Sequence, residues 1–324
     1  MIWESILIII GFVILIKGAD FLVNGASSLA KRYNVSDIAI GLTVVAMGTS
    51  APELVVNIIS GSGGHNDVVF GNIIGSNIFN MFLILGISSV IYPLTVQKNA
   101  LWKEVPYSLL ATVVFFVLVN DQLFWGKETN EASLFDGLIL LGMFCIFLYY
   151  VFINMQRTGD TNGDMEEVEM HGTLKTALMI IGGIAGLVFG GKFIVENSIL
   201  IAQEFGISEK VIGLTILAAG TSLPELATTA VAAFHKKSDL AVGNIVGSNI
   251  FNLLLVLGAT AALNSPLQFD TDLNIDLYVI MIGTFMLFLF MFTLKKYKLD
   301  RAEGAIYLLG FVAYMVFLYF TRMS

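Results

Sequence analysis

In the stretch VVAMGTSAPELVV, Val44 to Val56, a carboxylate, Glu53, directly follows a proline, Pro52, inside an otherwise apolar run. Thr49 and Ser50 precede Glu53 by four and three residues, so in a helix their hydroxyls share a face with its carboxylate. Pro52 has no N–H for the carbonyl of Gly48 and its ring crowds that carbonyl, while Gly48 itself weakens a helix. Main-chain carbonyls around Ala46 to Gly48 are therefore expected to be freed. Carboxylate, hydroxyl and main-chain oxygens in one place suit a hard cation such as Ca2+ or Na+, whereas Zn2+ or Cu2+ would select nitrogen and sulfur. The three histidines, His65, His171 and His235, all fall in predicted loops, and a single cysteine, Cys145, supports neither a disulfide nor a thiolate site. Cys145 is expected to pack in the core.

The same device occurs twice. IGLTVVAMGTSAPEL from Ile40 returns as IGLTILAAGTSLPEL from Ile212, an offset of 212 − 40 = 172, and GNIIGSNIFN from Gly71 returns as GNIVGSNIFN from Gly243. About half of the positions from Ile40 to Gly86 are identical to their partners without a gap. Gly220, Thr221, Ser222, Pro224 and Glu225 thus repeat the first device. Downstream, Asn72, Ser76 and Asn80 recur every four residues, as do Asn244, Ser248 and Asn252, which gives two further oxygen-rich stripes. One GTS or GSN in an apolar helix is ordinarily packing. Two copies at one offset, each with an acid, argue for a binding site.

The elements that must position these residues lie in a bilayer. The 324 residues are 56% hydrophobic and 13% charged, with mean hydropathy +0.83. Ten apolar runs predict membrane-spanning helices at 6–22, 38–60, 68–90, 105–119, 134–152, 174–195, 211–234, 240–262, 277–294 and 305–319. No basic residue precedes the first run, so it reads as a retained span and not as a signal peptide. With both termini outside, twelve Lys and Arg fall in cytoplasmic loops against three outside, which favours that orientation. Trp3, Trp102 and Trp125 fall near span ends, as interfacial anchors do. The net charge of −8 comes mainly from loop acids and points to no nucleic-acid partner.

Five spans per half force the second half to enter the membrane from the opposite face. The expected fold class is all-α and multi-pass, with ten transmembrane helices in two inverted five-helix repeats. The first repeat is 1–153 with its motif at 40–86, the cytoplasmic linker is 154–173, and the second repeat is 174–324 with its motif at 212–258. Inverted repeats with interrupted helices meeting near the midplane are a recurring architecture of secondary transporters. The linker's DTNGDMEEVEMH resembles a calcium loop, but Met165 and His171 stand where glycine and glutamate are required. Lys17 with Asp20 and Lys192 with Glu196 have the spacing of local ion pairs, and Gly182, Gly186 and Gly190 that of close helix packing.

An ionised carboxylate at the bilayer centre costs at least ~2.5 to 3.5 kcal/mol on insertion scales. Something positive must accompany the two. At these residues the sequence resembles the sodium/calcium exchangers of the cation/calcium antiporter superfamily, above all the prokaryotic ones. GTSAPE and GTSLPE, each followed by GNI(I/V)GSNIFN, look like that family's two alpha repeats, and the resemblance covers nearly the whole chain. It implies an antiporter, not an enzyme, in the prokaryotic plasma membrane, functional as a monomer and needing no cofactor beyond the transported Ca2+ and Na+. It implies that Glu53 and Glu225 bind both ions, that Thr49, Ser50, Thr221, Ser222, Ser76, Ser248 and the carbonyls of Ala46 and Ala218 contribute, and that Asn80 and Asn252 line the site. The first and sixth helices are its implied moving element. Potassium-dependent members carry GSNIFD in the second repeat, where this chain has GSNIFN. The chain lacks the GNAAEH pattern of calcium/proton exchangers, which disfavours that alternative, although H+ is an expected competitor for the carboxylates. A cation channel is the rival from another class, separable by flux without a counter-ion. An intramembrane hydrolase is disfavoured because no HExxH occurs.

Overall fold

A computed structural model describes residues 2–154, 170–205 and 218–323. Most of the expected linker and the start of the seventh span, 211–217, lie outside the described residues, as do Arg157 and Lys210. The principal helices are α1 (Ile2–Tyr33), α2 (Asp37–Thr49), α3 (Ala51–Ser62), α4 (Asn66–Ile91), α5 (Glu104–Val119), α6 (Leu134–Asn154), α7 (Thr173–Glu204), α8 (Leu223–Phe234), α9 (Ser238–Asn264), α10 (Asn274–Phe290) and α11 (Arg301–Leu318). A single turn, Ala218–Thr221, precedes α8. Among the described residues, seven helices are long and apolar enough to cross a membrane, eight if the bent pair α2–α3 counts as one. Helices α5 and α8, also apolar, are shorter.

The proline device does what its chemistry dictates. Helix α2 ends at Thr49, Ser50 caps α3, Pro52 occupies the first turn of α3 where no N–H is needed, and the two segments bend by 46°. Ser222 caps α8 and Pro224 sits in its first turn in the same way. One expectation is modified. The carbonyl of Ala46 is not freed, because it accepts from Ser50 N at 2.9 Å. Wide π-turns interrupt α4 at Phe79–Ile84 and α9 at Phe251–Val256, once more at an offset of 172.

Helix α9 is the centre of the molecule, 94% buried over its apolar window, whereas α11 is 11% buried and lies at the periphery. Helices α1 and α7 meet backbone to backbone: a Cβ on Gly18 would stand 2.9 Å from the carbonyl of Gly183, and one on Gly183 would stand 2.8 Å from that of Gly18. The packing glycines are Gly183, Gly186 and Gly190. Gly182, expected in that seam, has nothing within 4 Å of its Cβ position, because it is turned about 100° from Gly183. Two small antiparallel strand pairs tie loops of one half to loops of the other: Leu94–Thr95 with Lys298–Leu299, and Glu131–Ala132 with Leu267–Gln268.

Two peripheral expectations are corrected. Cys145 is exposed, since α6 buries the face of Gly137, Leu140, Phe144, Phe147 and Val151 and Cys145 lies beside it. Asp20 does not pair with Lys17. It accepts from Asn24 at 3.2 Å and faces His235 Nε2, just beyond α8, at 2.8 Å. Lys192 and Glu196 do form the local pair, at 3.6 Å, with both side chains exposed.

Candidate ion-binding site

Glu53 and Glu225 each occupy the first turn of a helix, α3 and α8, where unbonded N–H groups and the helix dipole favour negative charge. Both are 0% exposed. Their hydroxyl partners come from the opposite half: Ser50 Oγ donates to Glu225 Oε1 at 3.1 Å, and Ser222 Oγ donates to Glu53 Oε1 at 3.4 Å. Ser76 Oγ also reaches Glu53 Oε1, at 3.5 Å, and accepts from Ser222 Oγ at 3.1 Å. Each carboxylate is therefore held by one oxygen. The other oxygen, Oε2 of each, is buried with no hydrogen-bond partner.

The threonines cross between halves as well. Thr49 Oγ1 donates to Asn244 Oδ1 at 3.2 Å and Thr221 Oγ1 to Asn72 Oδ1 at 3.2 Å. Thr49 Oγ1 also lies 3.4 Å from Ser248 Oγ and 3.3 Å from the carbonyl of Ala46. Asn80 Nδ2 donates to Asn249 Oδ1 at 3.0 Å and Asn252 Nδ2 to Asn77 Oδ1 at 3.1 Å, which leaves the Oδ1 of Asn80 and of Asn252 buried and unpartnered. Both asparagines lie one turn beyond Ser76 and Ser248 on the same helices.

Of the twelve residues singled out in the sequence, eleven are no more than 8% exposed, and they interlock around the two acids. The twelfth, Ala218, opens the turn that carries Thr221. Ser222 N turns to the carbonyl of Ala219 at 3.2 Å, one residue nearer than Ser50 N reaches in the first half. Four residues of the network escaped the sequence reading. Asn57 accepts from Asn72 Nδ2 at 2.6 Å and Thr229 accepts from Asn244 Nδ2 at 2.9 Å. Each lies one turn after its glutamate, a spacing that offered a signal. Asn77 and Asn249 belong to the repeated GSN itself, and only the fold shows that they face the other half.

Among the described residues, Oε2 of Glu53 and of Glu225 and Oδ1 of Asn80 and of Asn252 are buried acceptor oxygens without protein donors, and oxygen is the donor type that hard cations take. A cation satisfies such a set where another hydrogen-bond acceptor cannot. Fold and site together define a multi-pass membrane transporter built on a duplicated motif.

The chain belongs to the sodium/calcium exchanger protein family, whose profile matches residues 3–153 and 175–320. It is 35% identical over 325 residues to CaxA of Alkalimonas amylolytica, named a candidate antiporter, covering 98% of this chain and 99% of that protein. It is 32% identical over 346 residues to the sodium/calcium exchanger MaX1 of Methanosarcina acetivorans, covering 97% and 98%. The solved structure of the sodium-calcium exchanger NCX_Mj soaked with 2.5 mM Na+ and 0.1 mM Ca2+ superimposes with a TM-score of 0.83 at 29% identity, covering 98% of both chains.

Proposed function

We propose that this chain exchanges Ca2+ for Na+ across the cell membrane by alternating access to the Glu53–Glu225 site. The observation that carries the reading is the pair of buried carboxylates, one from each half, each with one oxygen tied to a serine of the other half and one oxygen without a partner. Glu53 and Glu225 supply the charge that binds a cation, Ser50 and Ser222 orient the carboxylates, and Asn80 and Asn252 add neutral oxygens. Thr49, Thr221, Ser76 and Ser248 complete the shell with the carbonyls of Ala218 and of Ala46, the latter through the lone pair that Ser50 N does not take.

Two negative charges are compensated by one Ca2+ or by more than one Na+. Exchange follows when only the compensated site switches face, since an ion shifts that equilibrium solely through its differential affinity for the two states. Competition for the same oxygens then becomes coupling, with H+ as a third competitor. The architecture that serves this is ten spans in two inverted repeats, 1–153 and 174–324, joined by the cytoplasmic segment 154–173. Both termini lie outside and the monomer is the functional unit. The α1–α7 pair, which meets the rest of the molecule beside the site, is the moving element.

The test is Ca2+ flux in sealed vesicles holding the purified protein, under an imposed Na+ gradient, an imposed pH gradient or neither. Ca2+ uptake driven by the Na+ gradient alone supports the reading. Uptake driven by the pH gradient alone makes it a calcium/proton exchanger, and rapid uptake with no gradient of either ion makes it a channel.

A further inference from the structure

An asparagine presents opposite chemistry at its two ends: Oδ1 accepts and Nδ2 only donates. Beside a cation the difference is decisive, because a half-turn of the amide replaces a ligand by a repelling N–H. Something must therefore hold the amide the right way round. For Asn252 that group is identifiable. Asn77 Nδ2 donates to the main-chain carbonyl of Asn249 at 3.3 Å, a group that only accepts, so the end of Asn77 left for Asn252 is Oδ1. Asn252 Nδ2 donates to that Oδ1 at 3.1 Å, and Asn252 Oδ1 stays buried without a protein partner. Asn77, Asn249 and Asn252 are 0%, 1% and 0% exposed, so water does not replace either bond.

The matched contact in the other half has no such anchor. Asn80 Nδ2 donates to Asn249 Oδ1 at 3.0 Å, but Asn249 Nδ2 is buried with no partner. Rotating Asn80 and Asn249 together keeps one hydrogen bond between them, whereas rotating Asn252 and Asn77 together gives up the bond to the main chain.

We infer that Asn77 is a positioning residue for ion exchange: anchored on the Asn249 carbonyl, it locks Asn252 so that a carbonyl oxygen, never an amide N–H, is offered to the bound cation. The inference rests on the ion site proposed above. Asn252 is thereby an oxygen ligand set by the protein, while the amide of Asn80 takes its orientation from the ion. Asn77 touches no ion and acts through Asn252 alone.

The test places Asn77→Ala in two backgrounds, the natural chain and Asn252→Asp, and reads both the half-saturating Ca2+ concentration for flux in vesicles and the Ca2+-induced rise in melting temperature of purified protein. In the natural background Asn77→Ala is expected to raise the half-saturating concentration about tenfold, the scale of one ordered hydrogen bond. A carboxylate at 252 offers acceptor oxygen in either orientation and needs no lock, so there the same change is expected to shift the Ca2+ response less than about twofold. Equal shifts in both backgrounds, as general loosening of the packing would give, overturn the inference. So does no shift in either. If Asn77→Ala is not recovered folded, Asn77→Ser in the same two backgrounds decides: its side chain is too short to bridge the Asn249 carbonyl and Asn252, so it should raise the half-saturating Ca2+ concentration in the natural background and not in Asn252→Asp, and equal shifts in both overturn the lock. Natural protein that shows no Na+-driven Ca2+ flux refutes the exchanger reading instead, and Ca2+ binding by the four proteins still judges Asn77.

Discussion

The two halves agree at the site and diverge away from it. Around the acids the cross-half contacts come in matched pairs: Ser50 to Glu225 with Ser222 to Glu53, Thr49 to Asn244 with Thr221 to Asn72, and Asn80 to Asn249 with Asn252 to Asn77. Asp20 on α1 faces His235, but the positions 172 residues away from them are Lys192, which pairs with Glu196 on its own helix, and Gly63, which has no side chain. Under the exchange proposed above, a site approached in turn from two faces has to present the same ligands to each. The outer surfaces carry no such requirement.

The largest effect expected of any change that tests this symmetry is at the acids. Glu53→Gln and Glu225→Gln should each abolish Ca2+-dependent flux, because removing one partner of a buried charge pair costs about 3 kcal/mol or more, roughly two decades of affinity. Ca2+ flux near the natural level in either variant, at equal protein in the membrane, would show that the acids do not share one site. Next come the crossing serines. Ser50→Ala should reduce Ca2+ affinity about tenfold, as loss of a hydrogen bond to a charged group does. Ser222→Ala should cost somewhat less, since its single hydrogen is divided between Glu53 Oε1 at 3.4 Å and Ser76 Oγ at 3.1 Å. Calcium titrations of the two variants side by side check the order, and a larger loss in Ser222→Ala reverses it.

What the sequence reveals follows the same division. The duplicated motif exposed the two acids, the hydroxyls beside them and the helix break, because proline, glycine and carboxylate in an apolar run act locally and leave few alternatives. The pairing across halves was not legible. Asn77 looks like any packed amide until α4 and α9 are brought together, and Asn57 gains its role only when Asn72 Nδ2 comes within 2.6 Å. Spacing also misassigns a neighbour: it matches Lys17 to Asp20, whereas His235, more than two hundred residues distant, is the group that faces Asp20. Cys145 went the same way, because apolar composition in a bilayer does not separate the face against protein from the face against lipid.

A smaller effect belongs to Asp20. Its side chain is 32% exposed and that of His235 is 35% exposed, so the contact is screened by solvent and worth at most about 1 kcal/mol. Asp20→Asn should shift the melting temperature of the detergent-purified protein by no more than a few degrees and leave the Ca2+-induced stabilisation unchanged. A large loss of that stabilisation would mean that the unmatched periphery reaches the matched centre.

The smallest expected effect is none, and it tests how far the halves agree in charge. Asn80 and Asn252 are both neutral, so each half brings one acid, Glu53 or Glu225, to the site. Asp20 adds no further charge there, being engaged with Asn24 and His235. Two negative charges already match one Ca2+. A K+ bound beside it would leave excess positive charge in a buried pocket, where an unpaired ion is costly. Replacing K+ by choline on both sides of sealed vesicles, at a held membrane potential, should therefore leave Na+-driven Ca2+ flux unchanged. Flux that collapses without K+ and returns with it would require a third acid at the site and would break the equality of the two halves where it is otherwise closest.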